Sequence, residues 1–233
     1  IRDLLKDNID FIDKEDLRYI YIELYNFTKI RSLKDKPEFK KENYRILKES
    51  IENGLYPLDG KYLAESSYMT IIGSGLQEGD FEWTENFMEK YKNMLQPELR
   101  NNAYDFCKAT FNYRKGNYGE ALKGLSKVSI DDFYYQLRVK NHQLKIYYET
   151  GDFEMAKNII DSYRHFLSTA KFLPDFVKTR FVNYVNFTSR LVNIQLGGER
   201  KNLGDITEEI NHINPSVIEN KSWLLEQISK FKM

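Results

Sequence analysis

The amino-acid sequence predicts an all-α protein, an α-α superhelix (solenoid) of about five antiparallel helix pairs. Two observations support this prediction most strongly. A turn of Gly, then Asn or Asp, then an aromatic residue begins at Gly79, Gly116 and Gly151, which lie 37 and 35 residues apart. Between these turns, apolar residues recur every three or four positions, which is the period of one helix face. The chain also has only 5 prolines in 233 residues, so long helices are permitted.

Each of these turns predicts the end of one helix and the start of the next. Glycine adopts the left-handed backbone conformation that closes a helix, and Asn or Asp caps the following helix. The aromatic residue then packs back into the hairpin. Apolar stripes flank the turns on both sides, for example at Leu99, Ala103, Phe106, Thr110 and Tyr113 before Gly116, and at Phe153, Ala156, Ile159, Ile160 and Tyr163 after Gly151.

The same pattern places the remaining helices in order along the chain. Pro37, Pro97 and Pro174 suit first-turn positions, where the missing N–H is harmless. The predicted helices are Lys14–Ser32, Pro37–Glu52, Lys61–Gln77, Glu82–Leu95, Pro97–Arg114, Tyr118–Lys127, Ile130–Glu149, Phe153–Ala170, Pro174–Leu196, Leu203–Asn211 and Val217–Phe231.

The blocks around Gly116 and Gly151 resemble tetratricopeptide repeats, which have a helix, such a turn, a small residue three positions after the aromatic, and a period of about 34 residues. Ala121 and Ala156 hold the small position, whereas Thr84 replaces it in the earliest copy. Leu125 and Ile160 match the larger apolar position four residues after the small one, and Ala109 matches the small position of the first helix. Ile72 and Leu144 replace that small first-helix residue in the neighbouring copies, and no copy ends with the usual proline.

The resemblance covers residues 61–170 and implies one helical-repeat domain over residues 1–233. Residues 1–58 would then be degenerate N-terminal helices, and residues 173–233 a degenerate C-terminal pair and cap. In tetratricopeptide-like arrays the first helix of each pair lines the concave side. The resemblance therefore assigns the concave groove to the predicted helices Lys61–Gln77, Pro97–Arg114, Ile130–Glu149 and Pro174–Leu196.

Aromatic residues are dense along these helices, with 17 Tyr and 15 Phe in the chain. We expect most of them to fill the core. Tyr and Arg side chains left exposed in a groove are the usual anchors for a partner. Tyr104, Arg138 and Tyr148 are the partner-binding candidates on this reasoning.

No motif predicts catalysis, a metal site or a cofactor. The three histidines, His142, His165 and His212, lack a second His or Cys about one helical turn away. The only cysteine, Cys107, lies in an apolar helix stripe and is expected to be buried as a small apolar residue. The glycine-rich stretches do not match the phosphate-binding fingerprints and fit turns better. The sequence therefore predicts a protein that is not an enzyme and has no cofactor.

The charge pattern limits the classes of partner. Thirty-five basic residues balance 35 acidic ones, and no apolar run approaches the roughly 18 residues of a membrane span. Locally, residues 29–48 carry a net charge of +5 and residues 78–90 a net charge of −4. These stretches fit either a solvated helical surface or the docking of neighbouring molecules, including self-association, or of an oppositely charged partner. The overall balance argues against nucleic acid, and the single cysteine with no visible export signal favours the cytoplasm.

The sequence predicts a non-catalytic scaffold that binds a protein or peptide on the concave face of the solenoid. A second interpretation stays open. Because the chain begins at Ile1 without Met, it can also be a helical-repeat sensor or linker arm of a larger regulator or enzyme whose catalytic part lies elsewhere.

Overall fold

The computed structural model describes residues 2–32, 37–55, 58–59, 61–199 and 202–231, and nearly all of them are helical. The helices are α1 (Arg2–Asn8), α2 (Lys14–Ser32), α3 (Pro37–Glu52), α4 (Glu65–Glu78), α5 (Phe81–Tyr91), α6 (Pro97–Arg114), α7 (Tyr118–Leu125), α8 (Phe133–Glu149), α9 (Phe153–Thr169), α10 (Asp175–Gln195), α11 (Asn202–His212) and α12 (Lys221–Lys230). Short 3-10 helices span Ile9–Phe11, Lys92–Met94 and Pro215–Val217. The prediction of an all-α protein is confirmed. No helix in the described ranges has both the length and the apolar character needed to cross a membrane.

The chain divides into two compact units, Ile1–Val128 and Ser129–Met233. In the first unit, neighbouring helices in the chain pack in pairs, α2 on α3, α4 on α5 and α6 on α7, and α4 also packs on α3 and α6. In the second unit, α9 packs on both α8 and α10, while α12 packs on α10 and α11. A single domain over residues 1–233 stays a prediction.

The three glycine turns close helices as the sequence predicts. Gly79, Gly116 and Gly151 have φ angles of 76°, 78° and 76°, in the left-handed region that favours glycine. At Gly116 the chain forms a Schellman cap, because the Gly116 N–H donates to the carbonyl of Tyr113 (3.0 Å) and the Asn117 N–H donates to the carbonyl of Asn112 (2.9 Å). Each turn therefore joins two helices into a hairpin.

The small positions of the hairpins lie where the two helices come closest. Ala121 and Ala156 are fully buried, and so is Thr84 at the equivalent position of the earliest hairpin. A Cβ atom added to Gly124 would lie 2.9 Å from the Cβ of Ala109 on the facing helix. Small side chains at these positions permit the close helix approach that the repeat pattern predicts.

The start of α4 differs from the prediction. The helix begins at Glu65 and not at Lys61, because Tyr62 and Leu63 form a short strand, β2 (Tyr62–Leu63), that pairs antiparallel with β1 (Leu58–Asp59). Only two residues pair on each side, and so short a hairpin leaves little periodic signal in the sequence.

Two further helix starts are wrong by three or four residues. The predicted helix from Ile130 begins at Phe133, because the Asp132 carboxylate accepts hydrogen bonds from two backbone N–H groups of the first turn and caps α8. The predicted helix from Val217 begins at Lys221, because Pro215–Val217 forms a 3-10 helix and Asn220, with φ 53°, separates it from α12. The second of these corrections means that residues 215–220 form the connection that leads into α12.

Candidate binding surfaces

In the second unit, two of the predicted groove helices, α8 and α10, hold the chain's own helix α12. Trp223 of α12 is 7% exposed and lies between two tyrosine rings. Its ring centroid is 5.4 Å from that of Tyr148 on α8 and 6.0 Å from that of Tyr184 on α10, both in edge-to-face geometry. Its indole N–H donates a hydrogen bond to the Glu149 carboxylate. The indole ring therefore packs against two tyrosines, and its polar N–H has an acceptor.

The connection that leads into α12 is fixed along α10. The Asn183 side-chain amide donates to the carbonyl of Val217 (2.8 Å), and the Glu219 N–H donates to the carbonyl of Arg180 (3.1 Å). The Arg180 guanidinium also donates to the Glu219 carboxylate at 2.6 Å. Two of these three contacts engage backbone atoms of the connection, so they hold it largely independently of its side chains.

Asn220 marks the point where the chain turns into α12. Its left-handed φ of 53° is a conformation that Asn tolerates better than most residues. The Lys145 ammonium of α8 donates to the Asn220 side-chain carbonyl (2.7 Å) and lies 5.8 Å from the Trp223 ring centroid. We refer to Lys145, Tyr148 and Glu149 of α8 with Arg180, Asn183 and Tyr184 of α10 as the α12 seat.

The structure buries Tyr148, so the expectation that it is exposed to a partner is wrong. Its side chain is 5% exposed, and Phe153 packs edge-on against it at 5.6 Å in addition to Trp223. Burial raises the pKa of the Tyr148 hydroxyl to about 12. Tyr148 contacts aromatic residues of its own chain, and a role for it in binding a partner stays a prediction.

Arg138 lies on α8 outside the α12 seat. It precedes Tyr148 by ten residues, which is about 15 Å along a helix. Its guanidinium lies over the ring of Tyr135, 5.6 Å from the centroid, and its side chain is half-buried. The structure therefore does not bring Arg138 and Tyr148 into one site.

Tyr104 belongs to the first unit, on α6, and is half-buried. Its hydroxyl donates to the Glu89 carboxylate of α5, and the Lys92 ammonium lies 4.8 Å from its ring centroid. Burial, followed by the hydrogen bond to Glu89, raises the pKa of the Tyr104 hydroxyl above its usual value. The Lys92 hydrogen bond, the largest influence, lowers the pKa of the Glu89 carboxyl. Tyr104 is thus held in a charged surface network.

The basic and acidic stretches of the first unit meet at Asp80. Lys48, from the basic stretch, forms an ion pair of 2.8 Å with the Asp80 carboxylate, and the Tyr44 hydroxyl donates to the same oxygen at 2.8 Å. The hydrogen bond from Lys48 is the largest of the effects that lower the pKa of the Asp80 carboxyl. This ion pair therefore neutralises one positive charge of the basic stretch with one negative charge of the acidic stretch. Lys34, Asp35 and Lys36 of the basic stretch lie outside the described residues.

His142, His212 and Cys107, whose residue types could carry acid–base, nucleophilic or metal chemistry, have the following surroundings. His142 Nδ1 lies 2.9 Å from the carbonyl of Arg138, and burial lowers the pKa of this imidazole to about 4. His212 Nδ1 lies 2.9 Å from the carbonyl of Glu208, four residues earlier in the same helix. Cys107 is buried, as predicted. Among the described residues, no cluster of three His, Cys, Asp or Glu side chains could hold a metal ion.

The sequence analysis missed Trp223 and its partners. Trp223 is one of only two tryptophans, and it lies in a predicted amphipathic helix, which was a usable signal for an anchor. Its contacts with Tyr148 and Glu149 span about 75 residues of sequence, and helical periodicity carries no information on such distant pairs. Comparisons with protein-family models, curated proteins and solved structures find no match to this chain.

Proposed function

We propose that this chain is a non-catalytic scaffold that binds a helical segment of a protein partner on the first-helix faces of a tetratricopeptide-like solenoid. The observation that supports it most directly is the α12 seat. An amphipathic helix lies there across α8 and α10, anchored by one buried tryptophan. This is the helix-in-groove mode by which many domains recognise peptides.

The packing within the first unit supports the repeat arrangement of this proposal. There α4 packs on α6, so the first helices of two consecutive glycine-turn hairpins lie side by side. Contact between the first helices of consecutive pairs is what a stack of such hairpins requires. The same arrangement would serve a free-standing scaffold or an arm of a larger regulator.

The chemistry of the α12 seat defines the class of partner. Tyr148 and Tyr184 accept an aromatic ring, and the Glu149 carboxylate accepts its N–H. Lys145 presents an ammonium to a polar side chain just before the helix. The expected partner segment is therefore an amphipathic helix with a tryptophan in its first turn and an amide or acidic side chain immediately before it.

The α12 seat and the segment docked on it also contain buried polar atoms without a hydrogen-bond partner among the described residues. They include Asn220 Nδ2 and Gln227 Nε2 of the docked segment and Arg180 Nε of the seat. A buried donor without an acceptor costs about 1–3 kcal/mol. The fit between α12 and its seat is therefore imperfect in its polar contacts, and a better-matched helix can compete with it.

The test uses the full chain with its own anchor weakened. Trp223→Phe keeps an aromatic ring but removes the N–H that Glu149 accepts. We expect a fluorescent peptide of residues 215–231 to bind this variant at least tenfold more tightly than the native chain, because a weakening of about 1.4 kcal/mol in the tethered helix corresponds to tenfold in affinity. Fluorescence anisotropy measures the binding.

Two controls make the result specific. Trp83→Phe, in the first unit, should leave peptide binding at the native level. A peptide whose tryptophan is replaced by alanine should bind the Trp223→Phe chain far more weakly than the native peptide. Equal binding of the native peptide to all three chains, or no binding to any, would refute the α12 seat as a peptide-binding surface.

A further inference from the structure

A cavity of about 350 Å³ lies among α2, α3 and α4 of the first unit. Ligand sites typically have volumes of about 300–1,000 Å³, so it is large enough for a small ligand. Its deeper wall is apolar and buried, formed by Tyr21, Ile46, Ile51, Leu55 and Ile71. Exposed residues, including Ile22, Lys29, Ser66 and Thr70, lie at its opening. The cavity therefore offers an apolar interior with access from solvent.

The charged residues that line this cavity are all of one sign. Arg18 and Lys29, both on α2, line it, and none of the described lining residues is acidic. Two of the lining hydroxyls already donate within the chain, because Thr70 donates to the carbonyl of Ser66 (2.7 Å) and Ser50 donates to the carbonyl of Leu55 (3.0 Å). The lining therefore selects for a negatively charged group joined to an apolar body.

The two cations differ in their surroundings. Arg18 is half-buried, and its Nε is withdrawn from solvent without a hydrogen-bond acceptor among the described residues. Lys29 is exposed and lies 5.3 Å from the ring centroid of Tyr25. Their positions are eleven residues apart, about 16 Å along the helix, so one carboxylate cannot contact both. Arg18 is the cation that gains an acceptor for a buried donor when an anion binds.

We propose that this cavity binds a small amphipathic carboxylate, whose apolar chain lies against Ile46, Ile51 and Ile71 and whose carboxylate accepts hydrogen bonds from Arg18. A guanidinium and a carboxylate make charge-assisted hydrogen bonds of planar geometry, which are about twice as strong as neutral ones. The apolar walls supply affinity in proportion to the area of the chain that they cover. This site lies in the first unit and is independent of the α12 seat in the second.

The test titrates the native full chain with three probes of the same chain length: decanoate, 1-decanol and decyltrimethylammonium. Isothermal titration calorimetry measures affinity, and amide chemical shifts locate binding. We expect decanoate to bind at least tenfold more tightly than 1-decanol and the cation to bind weakest. The largest shifts should fall on residues of α2, α3 and α4 that line the cavity. Equal affinity for decanoate and 1-decanol, shifts elsewhere, or no binding of decanoate would overturn the proposal.

Matched variants identify the cation and the cavity. Arg18→Gln should weaken decanoate binding about tenfold or more and bring its affinity to that of 1-decanol, whereas Lys29→Gln should change it less than twofold. Ser67→Leu, which places an apolar side chain in the cavity from α4, should abolish binding of both probes. Circular dichroism at 222 nm checks that each variant is folded. Unchanged decanoate affinity in folded Arg18→Gln would contradict the assignment, and it would leave the peptide result at the α12 seat unaffected.

Discussion

Two glycines in one hairpin should respond to the same substitution in opposite directions. Gly116 has a φ of 78°, whereas Gly119 lies in the first turn of α7, and an added Cβ meets no atom within 4 Å at either position. Alanine at Gly116 therefore costs only backbone strain, about 1–2 kcal/mol, and this is partly offset by about 0.4–1 kcal/mol from the less flexible unfolded chain. The expected net loss is about 1 kcal/mol. Alanine at Gly119 fits the helix and should stabilise it by about 0.5–1 kcal/mol.

The two variants should consequently differ by about 1.5–2 kcal/mol in the free energy of unfolding. Urea denaturation followed by circular dichroism at 222 nm measures this difference from the transition midpoints at equal slopes. The Schellman cap around Gly116 provides the physical reason, because its two hydrogen bonds require the left-handed residue. A transition midpoint of Gly116→Ala at or above that of the native chain would refute the assignment of Gly116 as the helix-closing residue.

Three further outcomes follow from packing and from charge. Gly124→Ala should destabilise the first unit by about 1–2 kcal/mol in urea denaturation, because the new methyl group meets Ala109, and a neutral result would contradict the close helix contact. Asp80→Asn should lower stability at pH 7, because the lowered pKa of Asp80 stabilises the fold only while the carboxylate is charged. Its deficit relative to the native chain should shrink as pH falls below the ordinary aspartate pKa of about 3.9 and through the lowered pKa of Asp80. A deficit independent of pH would argue against the ion pair with Lys48. The imidazole of His142 should titrate near pH 4 by NMR. The unfolding free energy should then decline as pH falls from about 6.5 to 4, because the unfolded chain takes up the proton first. An NMR midpoint near 6.5 would instead show that the ring is solvated.

Local chemistry made the hairpins predictable from the sequence. The turns at Gly79, Gly116 and Gly151 depend on residues adjacent in sequence, and all three close a helix with left-handed glycine. Helix periodicity likewise identified most helices, because the apolar residues of one face are three or four positions apart. Helix starts were less accurate where a side-chain cap such as Asp132 or a two-residue strand pairing decided the boundary.

The candidate binding surfaces were only partly predictable. Aromatic content pointed to Tyr148 as an anchor, but its exposure depends on whether another part of the chain covers it. Trp223, 75 residues later, provides that cover, and no local pattern links the two positions. The cavity beside Arg18 was likewise not predictable from local patterns, because its walls come from three helices and its volume depends on how their side chains pack.

The central claim is that the α12 seat exchanges its own helix for another one, and fluorine NMR tests it most directly. In the full chain labelled with 5-fluorotryptophan, Trp83 and Trp223 should give two resonances, which Trp83→Phe assigns. As unlabelled peptide of residues 215–231 is added to millimolar concentration, the Trp223 resonance should move to the position of a solvent-exposed indole, while the Trp83 resonance stays in place. A Trp223 resonance that does not move under saturating peptide would contradict the claim.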